Sequence, residues 1–537
     1  MLSGSTRIRT RHQPLSVLAD RLADERQRLD TMSTGDLAVR ASVRLSYDSL
    51  GDRARAAFRL LGHLGLPQFG SWILRPLLNL DACEAERTID GLFDAQLVTL
   101  SSVDATGRPR YRMHDLLGLF AREASAHEDD AESRTAAVRR LVRRWIWLLD
   151  DASARSASGV LYVPHRRAAV EDVDQVLADD LLTDPQAWFD AEQECLVVAI
   201  DRTRAAGLPA LATELASALL SSNFAARYQL KTFGQVQHDS LLAVRDDGDR
   251  DGEVSVLAGL GRLRYQQDRF AEAYDFYTRA LNLLRGHDTG PTTAGVLIDY
   301  GYVCVEQGRF RKARRALDLA YAMAVDSEAI AHAARGLGWL LLACGQFDQA
   351  IRKLTEAASK HRRQGNIRGA ALALRGLSLT HRARGDWARA AELAEATLAL
   401  FETTGDKLLV AYGLQTVAKA RIRLGRRTTV HDDLASTLDT CRAVGDRFGT
   451  ALATRTIGEM HLANHELDAA NAHLEDAGHQ FADLGLDVYR ARVLRDQATT
   501  HKARGVLDAA TEAWNTALRI FRSHGAREYR ELSTLGT

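Results

Sequence analysis

The sequence predicts a mostly α-helical protein: a small domain of helices with one β-hairpin, then an α-solenoid of helical hairpins repeating about every 40 residues. Three observations predict it. Tight turns recur at near-constant spacing through the second half of the chain. Ala and Leu abound while only 8 of 537 residues are proline, so helix is favoured almost throughout. Between residues 40 and 125 the texture changes, and short alternating segments interrupt the helical pattern.

The repeat carries most weight. The turns "QQDRF", "EQGRF", "ACGQF", "ARGDW", "RLGRR", "ANHEL" and "ARGVL" put Asp268, Gly308, Gly345, Gly385, Gly425, His465 and Gly505 in one slot, in steps of 40 residues save one of 37. Two residues on comes Phe270, Phe310, Phe347, Trp387, Arg427, Leu467 or Leu507. Three further on comes Ala273, Ala313, Ala350, Ala390, Val430, Ala470 or Ala510. A small residue there lets paired helices approach, and the larger one plugs the gap. Such a unit cannot bury its apolar face alone, so neighbours must stack on it.

These columns resemble the tetratricopeptide repeat (TPR), in a long variety with a second turn at Gly365-Asn366, Gly405-Asp406 and Gly445-Asp446. The resemblance implies a TPR superhelix over 210–537, with 210–250 a degenerate first unit, and a helical linker domain over 131–209. The match is good over roughly residues 250–523, and the unit around Gly425 departs most from the pattern.

Upstream, "ASVRLSYDSLGDRARAAFRLLGHLG" reads as two helices and "CEAERTIDGLFDAQL" as a third. "LVTLSS", a turn in "VDATGRP" and "YRMH" read as a hairpin. Asp115 then reads as the N-cap of a helix that starts with Leu116 and Leu117. Helices followed by a two-stranded wing suggest a winged-helix-like domain over 40–130.

A winged helix ending in Met113-His114-Asp115 and followed by a repeat array resembles the C-terminal part of STAND-type NTPases with an NB-ARC module, above all bacterial regulators of the SARP type. The resemblance implies that residues 1–39 are a helical remnant of the NTPase lid. It also implies that His114 reaches the β-phosphate of bound ADP where a nucleotide-binding core is present. That core would precede residue 1, and no G-x-x-x-x-G-K-[ST] and no Gly-Lys pair occurs in the chain. Without backbone amides and a lysine to cradle phosphates, ATP hydrolysis has no site, so no enzyme activity and no cofactor are expected. The other reading of His114 is a histidine that packs or caps a strand–helix junction.

Composition bounds the rest. Seventy basic and seventy acidic residues cancel, so no global charge draws the chain to nucleic acid or an anionic membrane. The helix Glu84–Ala95, which would enter a DNA groove, carries Glu84, Glu86, Asp90 and Asp94 against Arg87 alone, which opposes DNA binding. Five cysteines without a CxxC indicate neither disulfides nor zinc, and fit reduced thiols in a cytoplasm. No apolar run nears the roughly 18 residues of a membrane span, and "MLSGSTRIRTRHQ" lacks the apolar core of a signal peptide. "RRLVRRWIWLL" reads as a helix with Arg139, Arg140, Arg143 and Arg144 in water and its tryptophans in the core. His461 and His465 have i, i+4 metal spacing but no third ligand, so no metal is expected.

The sharpest candidate lies in the first helix of each repeat. Ten residues before the turn slot stand Arg335, Arg375, Gln415, Arg455 and Arg495. Four residues on comes Trp339, with Tyr302 its counterpart one unit earlier. In the resembling fold this column faces the concave groove. Guanidinium forks there would hold the carboxylates of a protein or peptide partner, or would pair with acids of a neighbouring unit such as Asp406 or Asp446. The sequence thus reads as a non-enzymatic regulatory or scaffold protein in transcriptional or signalling control. The alternatives are a fragment or split half of a nucleotide-switch STAND ATPase, with the NTPase domain elsewhere, and a DNA-binding transcription factor.

Overall fold

The computed structural model describes residues 33–155, 175–222, 224, 241–242, 244–245, 248–286, 290–426 and 430–533. Most of the expected lid remnant over 1–39, much of the degenerate unit over 210–250, and Arg427 lie outside them. The chain divides into two compact units. One gathers residues 1–152, 167–219 and 230–252; the other holds the repeats from residue 253 onward, with 153–166 and 220–229.

In the first unit, α1 (Ser33–Asp48) and α2 (Asp52–Leu64) are followed by a 3-10 turn (Ser71–Ile73), the short α3 (Leu74–Leu78) and α4 (Ala82–Asp94). The 3-10 turn and α3 were not expected. A capping box starts α4: the Asp81 carboxylate accepts from Glu84 N at 2.8 Å, and Glu84 accepts from Asp81 N at 3.2 Å. Glu84 also pairs with Arg53 at 2.6 Å, and Glu86 accepts from Ser71 Oγ, so two of the acids on this helix serve the fold. The hairpin is β1 (Thr99–Val103) against β2 (Pro109–Arg112), antiparallel, with Thr99 opposite Arg112 and an irregularity between Leu100 and Ser102. The Asp104 carboxylate closes its turn by accepting from Thr106 N at 2.9 Å and Arg108 N at 3.0 Å. Phe69 bridges Tyr111 on the other side of β2.

The strand ends before Met113, and α5 spans Asp115–Glu128. Its N-cap is His114, not Asp115. The His114 Nδ1 accepts from Leu116 N at 3.3 Å, so Asp115 becomes the first helical residue, where its charge suits the positive end of the helix. Tyr47, Phe58 and Phe120 pack ring against ring at 5.7–6.3 Å, which fixes α5 on α1 and α2. The unit continues through α6 (Ala131–Arg155), α7 (Gln175–Leu181), α8 (Pro185–Ala205) and α9 (Pro209–Ser221). On α6, Trp145 is buried and Arg139 and Arg143 are exposed, while Arg140 donates to the carbonyls of Pro76 and Leu77 at 2.8 and 2.6 Å, closing the C-terminal end of α3.

The second unit is a stack of antiparallel helix pairs: α10 (Arg250–Gln266) with α11 (Phe270–Leu284), α12 (Pro291–Glu306) with α13 (Phe310–Met323), α14 (Ser327–Ala343) with α15 (Phe347–Arg363), and α16 (Ile367–Arg384) with α17 (Trp387–Glu402). Then come α18 (Lys407–Arg423) with α19 (Val430–Ala443), α20 (Arg447–Ala463) with α21 (Leu467–Asp483), α22 (Asp487–Ala503) with α23 (Leu507–His524), and a last short helix α24 (Arg527–Ser533). All seven predicted turn positions take left-handed backbone, with φ from 58° at Asp268 to 94° at Gly385. The turn at Gly308 shows why: Arg309 N reaches back to Cys304 O at 2.7 Å and Gly308 N to Val305 O at 3.1 Å, which satisfies the last carbonyls of α12. The close approach of paired helices also needs glycine at Gly338, where a Cβ would lie 2.5 Å from Leu354.

The small-residue column is buried as predicted, from Ala273 to Ala510. Ala350→Leu should therefore destabilise the array by about 1–3 kcal/mol through overpacking; an unchanged thermal midpoint would contradict the packing. The plug column differs from its expectation. Phe270 and Phe310 are buried, Phe347, Trp387 and Leu467 are half-buried, and Leu507 is 63% exposed.

The reason is that the array closes on itself. Phe270 packs on Phe448 at 6.0 Å between ring centres and joins a cluster with Phe481 and Leu484. Phe310 shares a cluster with Val488, Phe521 and Leu532. Polar bonds span the same seam. The Asp268 carboxylate accepts from Arg447 N at 2.8 Å and Phe448 N at 3.1 Å, and Tyr489 donates to Glu306 at 2.7 Å. Partners 179–183 residues apart in sequence thus meet across the inside of the superhelix.

Candidate functional site

The inward stripe of each first helix holds the predicted arginine column, and the next repeat supplies partners to most of it. Arg375 Nε donates to Thr416 Oγ1 at 3.0 Å, Gln415 Nε2 to Thr456 Oγ1 at 2.9 Å, and Arg455 Nε to Asp496 Oδ2 at 2.9 Å. Each acceptor lies 41 residues on, because the facing helix presents the neighbouring register at the same level. The acids named from sequence do other work. Asp406 pairs with Arg368 at 2.9 Å, and Asp446 accepts from Tyr412 Oη at 2.8 Å.

Arg335 looks to the preceding repeat instead. It is 1% exposed, donates to Tyr302 Oη at 2.8 Å and lies 5.2 Å from the ring centre, while Tyr302 donates to His332 O at 3.1 Å. Arg375 sits between the rings of Trp339 and Tyr412, 5.8 and 5.1 Å from their centres. Tyr302, Arg335, Trp339 and Arg375 are thus a packed layer rather than a row of free guanidiniums along an open groove.

Farther along, the interior is not filled. A cavity of about 190 Å³ opens between α16, α18, α20, α22 and α24. Arg455 and Arg495, two of the predicted arginines, wall it. Arg382, Lys419, Arg423, Arg492 and Arg527 join them. Against these seven cations stand Glu459, Glu528 and Glu531, with Asp496 behind, bridging Arg455 and Arg495 at 2.7 and 2.8 Å. Counted by formal charge, three positive charges remain unbalanced here, inside a chain whose total charge is zero.

The titratable groups register that potential. Burial, then the nearby Arg455, pushes the Lys419 amine well below its usual range, although it pairs with Glu459 at 2.8 Å. Burial would raise Glu459, yet Lys419, Arg455 and Arg423 hold it below the ordinary carboxylate range. Burial would likewise raise Glu528, but Arg492 and Arg527 hold it at about 2. Burial, with Arg527, Arg455 and Arg375 close by, pulls Arg382 down to about 9 despite Glu459. A positive field lowers acids and bases alike, and burial adds to it for Lys419 and Arg382. Arg492, despite its burial, and Arg495 shift upward instead beside Glu528 and Asp496, and burial raises Glu531.

Among the described residues, several buried polar atoms of the lining lack a hydrogen-bond partner, namely Glu459 Oε1 and Oε2, Glu528 Oε2, Arg527 Nε and Arg382 Nη1, and Arg382 alone of these residues has no ion pair either. Its Nη1 is shielded from solvent, and no acceptor among the described residues lies within hydrogen-bonding reach. By contrast, Arg492 is tied to Glu528 at 2.7 Å, and Arg527 donates to Leu342 O at 3.3 Å. Arg423 is exposed, at the mouth.

Reading across repeats for one column finds Arg455 and Arg495 but not Arg382, Arg423, Arg492 or Arg527, which stand at other offsets from the turn. Reading down each helix could have found Arg492 and Arg423. Arg492, Arg495, Thr499 and Lys502 share one face of α22 at i, i+3, i+7 and i+10, and Tyr412, Gln415, Lys419 and Arg423 share one face of α18.

The other sequence candidates lie elsewhere. His114 is exposed in the first unit. His465 occupies a turn at φ 63°, while His461 bonds to Glu466 and stacks on His473 at 5.2 Å. Among the described residues no three His, Cys, Asp or Glu side chains group to hold a metal ion, and no helix is long and apolar enough to cross a membrane.

Comparison with known proteins agrees with the architecture. Residues 252–326 match the tetratricopeptide repeat family model. Regulatory protein AfsR of Streptomyces griseus is 28% identical over 531 residues, covering 96% of this chain and 47% of the relative. Its Streptomyces coelicolor counterpart is 28% identical over 539 residues, covering 97% and 48%. The chain therefore spans about half the length of these relatives. The crystal structure of Rap protein complexed with Competence and Sporulation Factor aligns with a TM-score of 0.52 at 14% identity, over 73% of this chain and 99% of that one. The protein carries a tetratricopeptide-repeat array and is similar, over nearly its whole sequence, to the AfsR regulatory proteins.

Proposed function

We propose that this chain is a non-enzymatic regulatory module whose repeat array captures an acidic segment of a protein or peptide partner, in transcriptional or signalling control. The observation that carries the reading is the cavity with three unbalanced positive charges on the inner face of the array. The similarity to the AfsR regulatory proteins supports the role, and the similarly folded Rap protein is itself complexed with a factor. Arg455 and Arg495 meet the ligand. Tyr302, Arg335, Trp339 and Arg375 form the layer behind them.

The test is fluorescence anisotropy with a labelled Glu-rich peptide and a neutral scramble. The acidic peptide binds the full chain, and raising salt weakens it. Arg423→Ala, at the exposed mouth, weakens it about tenfold without moving the thermal midpoint. Equal binding of both peptides, or no change in Arg423→Ala, defeats the reading. Arg375→Ala lowers the thermal midpoint instead, since that side chain is packed between two rings.

A second reading concerns His114, whose imidazole is exposed while its Nδ1 serves the helix. In the winged-helix and Met-His-Asp reading, this ring meets the phosphate of a nucleotide held by a separate NTPase domain. ADP titrated against this chain joined to such a domain checks it, with weaker binding expected in His114→Ala.

A further inference from the structure

We propose that the group anchored in the cationic cavity is a phosphoryl group, a tetrahedral oxyanion of charge two or more, gripped by Arg382, Arg492, Arg495 and Arg527 with Arg423 at the mouth. This rests on the reading of the cavity as the array's binding site and names the chemistry it takes.

Three observations select it. The first is charge: a single carboxylate would offset only one of three surplus positive charges, whereas a phosphate monoester offsets nearly two and a pyrophosphate more. The second is geometry. The guanidiniums come from four helices, α16, α18, α22 and α24, and so surround the space from several sides. A planar carboxylate is served by one fork, while a tetrahedral anion offers acceptors in three dimensions. The third is Arg382, whose Nη1 is shielded and unbonded among cations that repel it. A buried donor without an acceptor is costly. Glu459 does not relieve it: Lys419 and Arg455 pair with its Oε1 at 2.8 and 2.9 Å, and its buried Oε2 makes no hydrogen bond to Arg382 or to any other described residue. Size agrees: about 190 Å³ admits a phosphoryl group with a small organic body or a phosphorylated side chain.

The phosphoryl group has two sources, a free phosphorylated small molecule or a phosphorylated residue of a partner segment. Isothermal titration of the full chain uses inorganic pyrophosphate, a phosphoserine peptide, the same peptide with glutamate, and succinate, all at matched ionic strength. Pyrophosphate or the phosphoserine peptide binds at least tenfold tighter than succinate and the glutamate peptide, and the tighter of the two names the source. Arg382→Gln abolishes that preference and leaves the thermal midpoint of the unliganded chain unchanged or higher, because Arg382 makes no bond to lose. Binding of the glutamate peptide as tight as the phosphoserine peptide overturns the phosphoryl assignment and leaves the acidic-partner reading standing. No binding by any probe overturns both. Phosphoryl binding that Arg382→Gln leaves intact overturns the assignment of the site.

Discussion

Arg110→Ala should destabilise the N-terminal unit by about 3–5 kcal/mol, the cost typical of breaking a buried ion pair by removing one partner. Arg110, on β2, reaches Glu192 on α8, and the two side chains are 3% and 1% exposed. The Glu192 carboxylate accepts from Trp72 Nε1 at 3.2 Å and Trp145 Nε1 at 3.1 Å, and Arg110 donates a further bond to Ala191 O at 2.9 Å. The surroundings are poorly solvating: burial, with Glu192 next to it, pushes the Cys195 thiol up to about 12. Deleting the guanidinium leaves a carboxylate held only by two indoles. The double variant Arg110→Met/Glu192→Gln should recover part of the loss, since it removes both charges and keeps a carbonyl acceptor for one of the two indoles. Tryptophan fluorescence during urea unfolding reports the transition directly, because Trp72 and Trp145 touch the pair. Equal losses in single and double variants would show that the two charges are not coupled.

Asp268→Asn should flatten the pH dependence of the repeat array between about pH 4 and pH 7. Burial, and the Asp446 carboxylate beside it, raise Asp268 from 3.8 to about 7, and Asp446 is itself raised by burial. The folded chain thus holds a proton that the unfolded chain has released over that interval. Stability is greatest at the acid side of the window and falls as pH rises towards 7, by an amount on the order of a few kcal/mol. The amide introduced by Asp268→Asn would accept from Arg447 N and Phe448 N as the carboxylate does and would donate to Asp446 as the protonated acid does. The variant's thermal midpoint should match wild type near pH 5 and exceed it at pH 8. The Glu528 carboxylate, held at about 2, acts outside this window. Its contribution is present above about 4.5 and is lost as pH falls towards 2. Identical pH profiles for wild type and variant would remove the shared proton from the seam.

Much of the array was legible because its determinants are local. A left-handed turn needs Gly308 or a tolerant Asp268, and close helices need Ala313 or Ala350; both demands repeat with the period. The seam was not legible. Asp268 meets Phe448, and Phe310 meets Phe521, across long stretches of chain with no shared period. For the same reason the plug column misled, since Phe270 and Leu507 share a register but only Phe270 is covered by distant helices. At the candidate site, Arg455 and Arg495 were visible as a column. Arg382 and Arg492 were not, because their offsets differ and superhelical closure alone brings them together. In the first unit the use of the α4 acids in capping and anchoring emerged only from the fold. The Glu192 network joins residues from four separate elements and left no local trace.

The seam has a thermodynamic consequence. A linear solenoid is quasi-one-dimensional: each repeat feels only its neighbours, and melting begins at the free ends. Here hairpins far apart in the chain are also neighbours: the first meets α20 and α21 and the second meets α22 and α23, so the ends are not free. Peeling away the last hairpin, α22 and α23, would uncover Val488 and Phe521 and strip the partners of Phe310 in the second hairpin in the same event. Unfolding of this unit then has to part the seam, with one cooperative rupture in place of progressive fraying. Deleting a single end repeat would cost more than that repeat's share.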